Sequence, residues 1–207
     1  MCYSAEISLN TFIFASICAI IVLLINRNRT LSIFIVFSIS LMQLLEYVAW
    51  ININNNDSRY DEIRKRNIYY LSIVGCFILL LQVFLINYCK LEGIERIIII
   101  SIIFMIFIFI MVYNYKNNQY DITVGKNGHL VWHWMDIKYL NIIFLFFWLY
   151  PLLRVNEFIF FAFGSLSVLY SIYNYYEYKT FGTIWCHISN VLWVFLLMDA
   201  IYKYIKL

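Results

Sequence analysis

The chain has 207 residues, 64% hydrophobic and only 13% charged, with a mean hydropathy of +0.78. No water-soluble domain of this size hides that much apolar surface, so the composition predicts an integral membrane protein, one domain over 1–207. The net charge of +3 is spread along the chain with no basic block, which excludes a nucleic-acid partner and leaves the lipid bilayer as the expected one.

A membrane-crossing helix needs about 20 apolar residues. Crossings are expected at roughly 10–26, 31–51, 69–88, 94–114, 138–153, 156–174 and 182–202. The expected class is an all-α membrane protein of seven transmembrane helices, multi-pass. No cleavable leader pattern precedes the first helix, which reads as an uncleaved anchor. The fifth span is short and ends at Pro151.

Between the spans, 26–30 is a tight polar hairpin and 52–66 a longer polar loop. The longest linker, 115–137, contains Ile122-Thr-Val124 and His129-Leu-Val-Trp132 on either side of Gly125-Lys-Asn-Gly128. An Asn-Gly between two β-prone runs signals a β-hairpin, expected to lie on the membrane face that carries the N-terminus.

Seven crossings put the N-terminal tail and the second, fourth and sixth loops on that same face. Cys2, Ser4, Glu6, Glu46, Trp50, His129, Trp132, His133, Trp185, Cys186 and His187 all fall there. Such an asymmetry marks a site. Loop cations divide eight to seven between the faces, which sets no orientation. The first helix has no cation before it and Arg27 and Arg29 just after it, which favours an outside or lumenal N-terminus and a cytoplasmic C-terminus. Asn28 and Asn56 are N-x-S/T sequons on opposite faces, so a glycan on Asn56 would confirm that orientation.

Within the site, Gln43, Glu46 and Trp50 are spaced i, i+3, i+7 and share one helical face. A carboxyl this deep costs roughly 2–3 kcal/mol unless paired or hydrated, so Glu46 is either a proton carrier, ligand anchor or metal ligand, or a structural hydrogen-bonding group. Thr183, Cys186, Asn190 and Trp193 form a stripe on the last helix, equally readable as helix–helix glue, with His187 beside it. His129 and His133 would share a face on a helix and could bind zinc there. On a strand they stand about 13 Å apart and cannot chelate together. The metal reading draws on Cys2, Glu46, His129, Cys186 and His187. Cys2 could instead form a disulfide with Cys186 on an oxidising face. Gln82 reads as an interhelical hydrogen-bonding group, and Asp199 with Lys203 as an i, i+4 ion pair.

The opening Met1-Cys-Tyr-Ser4, Glu46-Tyr-Val-Ala-Trp50, Asn127-Gly-His-Leu130 with Trp132, and Trp185-Cys186 with Ser189-Asn190 occur in this order. Together they resemble an uncharacterised family of small seven-helix membrane proteins beginning Met-Cys-x-Ser, found in bacteria, algae and large DNA viruses. The resemblance implies the fold and no activity. An aromatic often follows the Trp-Cys pair in that family, where this chain has His187. In size and crossing number the chain is also similar to small sugar transporters built as three helices, a linker helix and three more. Cys76-Phe-Ile and Cys186-His-Ile echo each other at matching depths of the third helix in each triplet.

Three functions remain open on the residues. One is small-molecule binding or transport through a polar cavity open to the N-terminal face, lined by Glu46, Gln43, Cys186 and Asn190, with the hairpin as lid. The second is a membrane enzyme with a metal or thiol centre. The third is a structural or virion-membrane protein. No spacing names a cofactor or an oligomeric state.

Overall fold

The computed structural model describes residues 4–25, 30–55, 57–137, 139–155 and 158–205. The backbone is almost entirely helical, as lipid requires of a chain that must satisfy its own amides. In order, the helices are α1 (Ala5–Ile25), α2 (Thr30–Asn54), α3 (Asp61–Lys90) and α4 (Gly93–Lys116), then α5 (Leu140–Arg154), α6 (Phe158–Tyr175), α7 (Phe181–Ser189) and α8 (Leu192–Ile205). Among the described residues, five stretches are long and apolar enough to cross a membrane: α1, the 23 residues Ser32–Asn54 of α2, Ser58–Lys90, α4, and the α7–α8 unit Phe181–Ile205. The chain is therefore a multi-pass helical membrane protein with one small sheet. At 15 residues α5 rises about 22 Å, less than the roughly 30 Å of a hydrocarbon core. Pro151 falls in its last turn, with only Leu152, Leu153 and Arg154 of the helix after it.

Helix ends differ from the hydropathy spans for a physical reason. Apolar windows find only the lipid-facing stretch, whereas helices continue into polar water. Thus α3 begins at Asp61, eight residues before the expected span, with Asp61 and Glu62 in its first turn, where the helix dipole favours them.

The expected single last helix is broken. An unbroken helix would pair the Asn190 amide with the Cys186 carbonyl. Here the Asn190 amide turns to His187 O at 3.1 Å, and its side-chain Nδ2 donates to Cys186 O at 2.9 Å instead. The Trp193 amide likewise bonds Asn190 O three residues back. The chain tightens into a 3₁₀-like turn, and α8 starts afresh at Leu192.

Helix α2 is the hub and packs on α1, α3 and α7. Helix α1 also meets α8, α3 meets α5, and α5, α6 and α7 follow one another in space. Helix α4 packs chiefly along α3 and buries the smallest share of any long apolar span.

The hairpin forms as its turn residues require. Strand β1 (Ile122–Val124) pairs antiparallel with β2 (Leu130–Trp132), with Ile122 opposite Trp132 and Val124 opposite Leu130. The Gly125 amide closes the loop on His129 O at 2.7 Å, and Gly128 takes φ +77°, which only glycine adopts without strain. The hairpin does not simply lie on the membrane face, however. All of β2 is buried, and the 3₁₀ turn His133–Met135 that follows carries Trp134, which is fully buried. Trp132 reaches Gly75 on α3: a Cβ there would stand 2.7 Å from its Cζ3. A Cβ on Gly182 of α7 would stand 2.9 Å from Met135. Two glycines thus make room for a plug of large side chains.

Gly75→Ala tests this fit. Alanine gains about 1 kcal/mol of helix propensity. Overpacking costs about 1–3 kcal/mol, so the variant should melt lower than the parent in detergent. Adding Trp132→Leu should restore part of the loss; a single Gly75→Ala that raises the melting temperature would show that the indole does not press on α3.

Candidate functional site

Three elements build the site: the inner face of α2, the first half of α7, and the hairpin plug. On α2 the sequence places Ser40, Gln43, Glu46 and Trp50 along one face, and all four are buried, Gln43 and Glu46 completely. On α7 the stripe Thr183, Cys186, Asn190 faces them. The Thr183 hydroxyl donates to Leu130 O at 3.0 Å, which fastens α7 to the plug. The Ser40 hydroxyl donates to Asn190 Oδ1 at 2.9 Å and accepts from Trp193 Nε1 at 2.8 Å. The Gln82 Nε2 donates to Ser38 O at 3.1 Å, the interhelical bond expected of it.

Between these elements lies a cavity. Its walls include Glu46 and Met42 of α2, Trp132 and Trp134 of the plug, and Thr183, Trp185 and Cys186 of α7, closed by α3, α5 and α6 side chains. Among the described residues, no lysine or arginine lies in the wall. The exposed lining is almost wholly apolar, and the open space takes about two water molecules. Among the described residues, Glu46 is the one carboxyl-bearing side chain in a wall that is otherwise largely apolar. Buried polar atoms in hydrocarbon turn toward protein partners, which leaves carbon to face the gap.

Of the residues expected to form the site, Glu46, Trp132, Trp185 and Cys186 come together here. Gln43 and Asn190 are buried nearby but outside the walls, Asn190 being used at the α7–α8 break. Trp50 is buried, and its Nε1 has no hydrogen-bond partner among the described residues. His129 is fully buried, edge-on to Tyr175 with ring centroids 6.0 Å apart. His187 is half-buried beside the stripe.

The two hairpin histidines face different surroundings. His133 is half-exposed, with Nε2 2.9 Å from Thr123 Oγ1 and Nδ1 3.4 Å from Asp136, whereas His129 faces inward. Among the described residues no group of three or more His, Cys, Asp or Glu could hold a metal ion. Cys2 lies outside the described residues, and Cys186, its expected disulfide partner, carries a free thiol.

Ser40, Trp134 and the plug's depth were not read from the sequence. Ser40 was findable, three residues before Gln43 on the same face. Trp134 follows Trp132 by two, a strand spacing, but no local signal says that a surface hairpin dives into a bundle. No protein-family model, curated protein or solved structure matches the chain.

Outside the bundle, Asp136 joins the plug to the α6–α7 loop. Burial opposes its ionisation. Hydrogen bonds from His133 and Lys179, the latter at 2.7 Å, outweigh burial and hold its carboxyl below the ordinary value. A depressed carboxylate contributes stability that is whole above its unfolded pKa, about 3.9, and is lost as pH falls through the folded value. Tryptophan emission should therefore report loosening of the plug in acid, below about pH 4, and little change between about pH 5 and 7. Asp136→Asn should abolish that acid step; an unchanged step would assign it elsewhere. A second measurement bears on the break: Ser40→Ala strips the Trp193 indole of its acceptor and should lower stability by about 1–3 kcal/mol. A melting temperature equal to the parent's would mean that the junction is not structural.

Proposed function

We propose that the chain is a seven-crossing membrane protein that binds and passes a small solute through the cavity beneath the plug, with Glu46 as its ionisable partner. The observation that carries this reading is Glu46 itself: a fully buried, carboxyl-bearing side chain in the wall of a cavity between the helices. An ionisable group at such depth costs roughly 2.5–3.5 kcal/mol on insertion scales, and membrane proteins place such groups where protons or solutes move.

The crossing number is supported by the ends of the two shorter helices. Glu95 at the start of α4 bonds Tyr150 and Arg154 at the end of α5. Thr180, just before α7, accepts from Asn127 of the hairpin at 2.8 Å. Polar ends thus gather in two layers, which favours α5 and α6 as the fifth and sixth crossings, thinned locally to match their length. The peripheral α4 suits an arrangement of three helices, a linker and three more. Arg27 and Arg29 after the first helix favour an outside or lumenal N-terminus with the cavity opening toward it, and a cytoplasmic C-terminus. The resemblance to small seven-helix proteins beginning Met-Cys-x-Ser is in keeping with seven crossings.

The test uses the purified protein in vesicles that contain pyranine, with an imposed pH gradient. The parent should carry protons faster than empty vesicles, and Glu46→Gln, nearly isosteric, should fall to the vesicle background while melting no lower than the parent. Equal proton flux in the two proteins overturns the role of Glu46. A Glu46→Gln protein that fails to fold, with Glu46→Asp folding but showing no flux change, would favour the structural reading instead.

A further inference from the structure

A second cavity lies toward the end of α3 that carries Lys90. Its walls include Ile86 and Lys90 of α3, Trp148 of α5, Gly164 of α6, and Ser189 at the end of α7. Its lining is mostly apolar, with Ser32, Lys90 and Ser189 among its members, and it has room for about three water molecules. One side chain belongs to the walls of both cavities, Trp185.

Trp185 is held as a partition. It is buried, and its Nε1 donates to Ser167 Oγ at 3.0 Å, while that hydroxyl donates onward to Gly164 O at 3.0 Å. Its ring meets Phe144 and Trp148 edge-on, at centroid distances of 5.8 and 5.4 Å and interplanar angles of 79° and 80°. The indole thus stands between two aromatic neighbours with its only donor satisfied.

The helix that carries it is separable. Helix α7 has nine residues, shorter than any other helix of the bundle. Lys179, just before it, takes φ +57°, a left-handed turn, and the Asn190 break follows it. The short segment is thus bounded by two departures from helical geometry where a tilt could be taken up, with Asn190 tied to Ser40 as its pivot. Irregular backbone at membrane depth is found where it is buried in protein or lines a cavity, and Ser189, next to the break, lines the second cavity.

We propose that the two cavities are halves of one path through the bundle for a small uncharged solute, and that the Trp185 indole is the partition that closes it. This rests on the transport reading above and adds its solute class and its barrier. The walls are narrow and mostly carbon apart from Glu46 in the first cavity and Lys90 in the second, which suits a neutral molecule of a few heavy atoms. Tilting α7 would withdraw the indole from between Phe144 and Trp148 and join the two spaces.

Urea permeation tests the partition independently of Glu46. Vesicles containing the full chain are mixed with urea and followed by stopped-flow light scattering. Trp185→Ala should admit urea about tenfold faster than the parent or more, the factor that ~1.4 kcal/mol off a barrier gives. Phe107→Ala removes a ring on α4 that lines neither cavity, and should stay within twofold of the parent. Ser167→Ala frees the indole without deleting it and should give an intermediate rate; it is the variant read if Trp185→Ala does not fold. Rates in Trp185→Ala, or in Ser167→Ala where it replaces it, that equal the parent's overturn the proposal, as does an equal rise in Phe107→Ala. The urea readout does not use the carboxyl. Loss of proton flux in Glu46→Gln with no urea effect at Trp185 would therefore leave the function standing and remove only the partition.

Discussion

A backbone carbonyl opened inside hydrocarbon has no water to turn to, and that constraint organises the centre of this protein. The last membrane-spanning unit is interrupted at Asn190. The interruption is tolerated because the Asn190 side chain takes the Cys186 carbonyl that its own amide has left. The Asn190 oxygen is in turn held by the Ser40 hydroxyl, which also accepts the Trp193 indole. One serine on α2 thus anchors both sides of the break. Because the break is stable, α7 ends there as a helix of its own, and Trp185 and Cys186 are set against Glu46 and the plug.

The plug is the second half of the arrangement. Hairpins beside membranes usually rest at the surface, where water can satisfy their edges. This one sends Trp132 and Trp134 inward, and their indole N–H groups have no hydrogen-bond partner among the described residues. The cost of burying such donors, roughly 1–3 kcal/mol each, is set against the apolar area of two indoles, among the largest side chains available. Gly75 and Gly182 supply the space, while Thr183 to Leu130 O and Asn114 to Trp134 O supply polar fastening. The cavity is what remains between an imperfect plug and the helices around it, which explains both its small size and its carbon-rich walls.

Much of the site was legible in the residues. Gln43, Glu46 and Trp50 share a buried face because the helical period places them there whatever the neighbours are. The stripe of Thr183, Cys186 and Asn190 was equally plain. What local pattern could not supply was partner choice. Asn190 was readable as interhelical glue, but not as the residue that ends a helix, because an asparagine within an apolar run forms or breaks a helix according to what its side chain finds across the gap. His129 and His133 looked like a pair by spacing, yet they part company because the chain passes from strand to 3₁₀ turn between them. Gln43 is likewise buried on the same face but outside the walls of the cavity that Glu46 lines.

Read alone, the chain determined its solvent, its helical class, the hairpin at Gly125–Gly128 and the buried face of α2. Each of these follows from composition or from a period of a few residues. Tertiary structure alone decided that the hairpin plugs the bundle, that the last helix breaks at Asn190, and that Trp185 stands between two cavities. Those outcomes depend on close approach between residues far apart in sequence. Trp132 meets Gly75 and Ser40 meets Asn190 only when the helices are already packed.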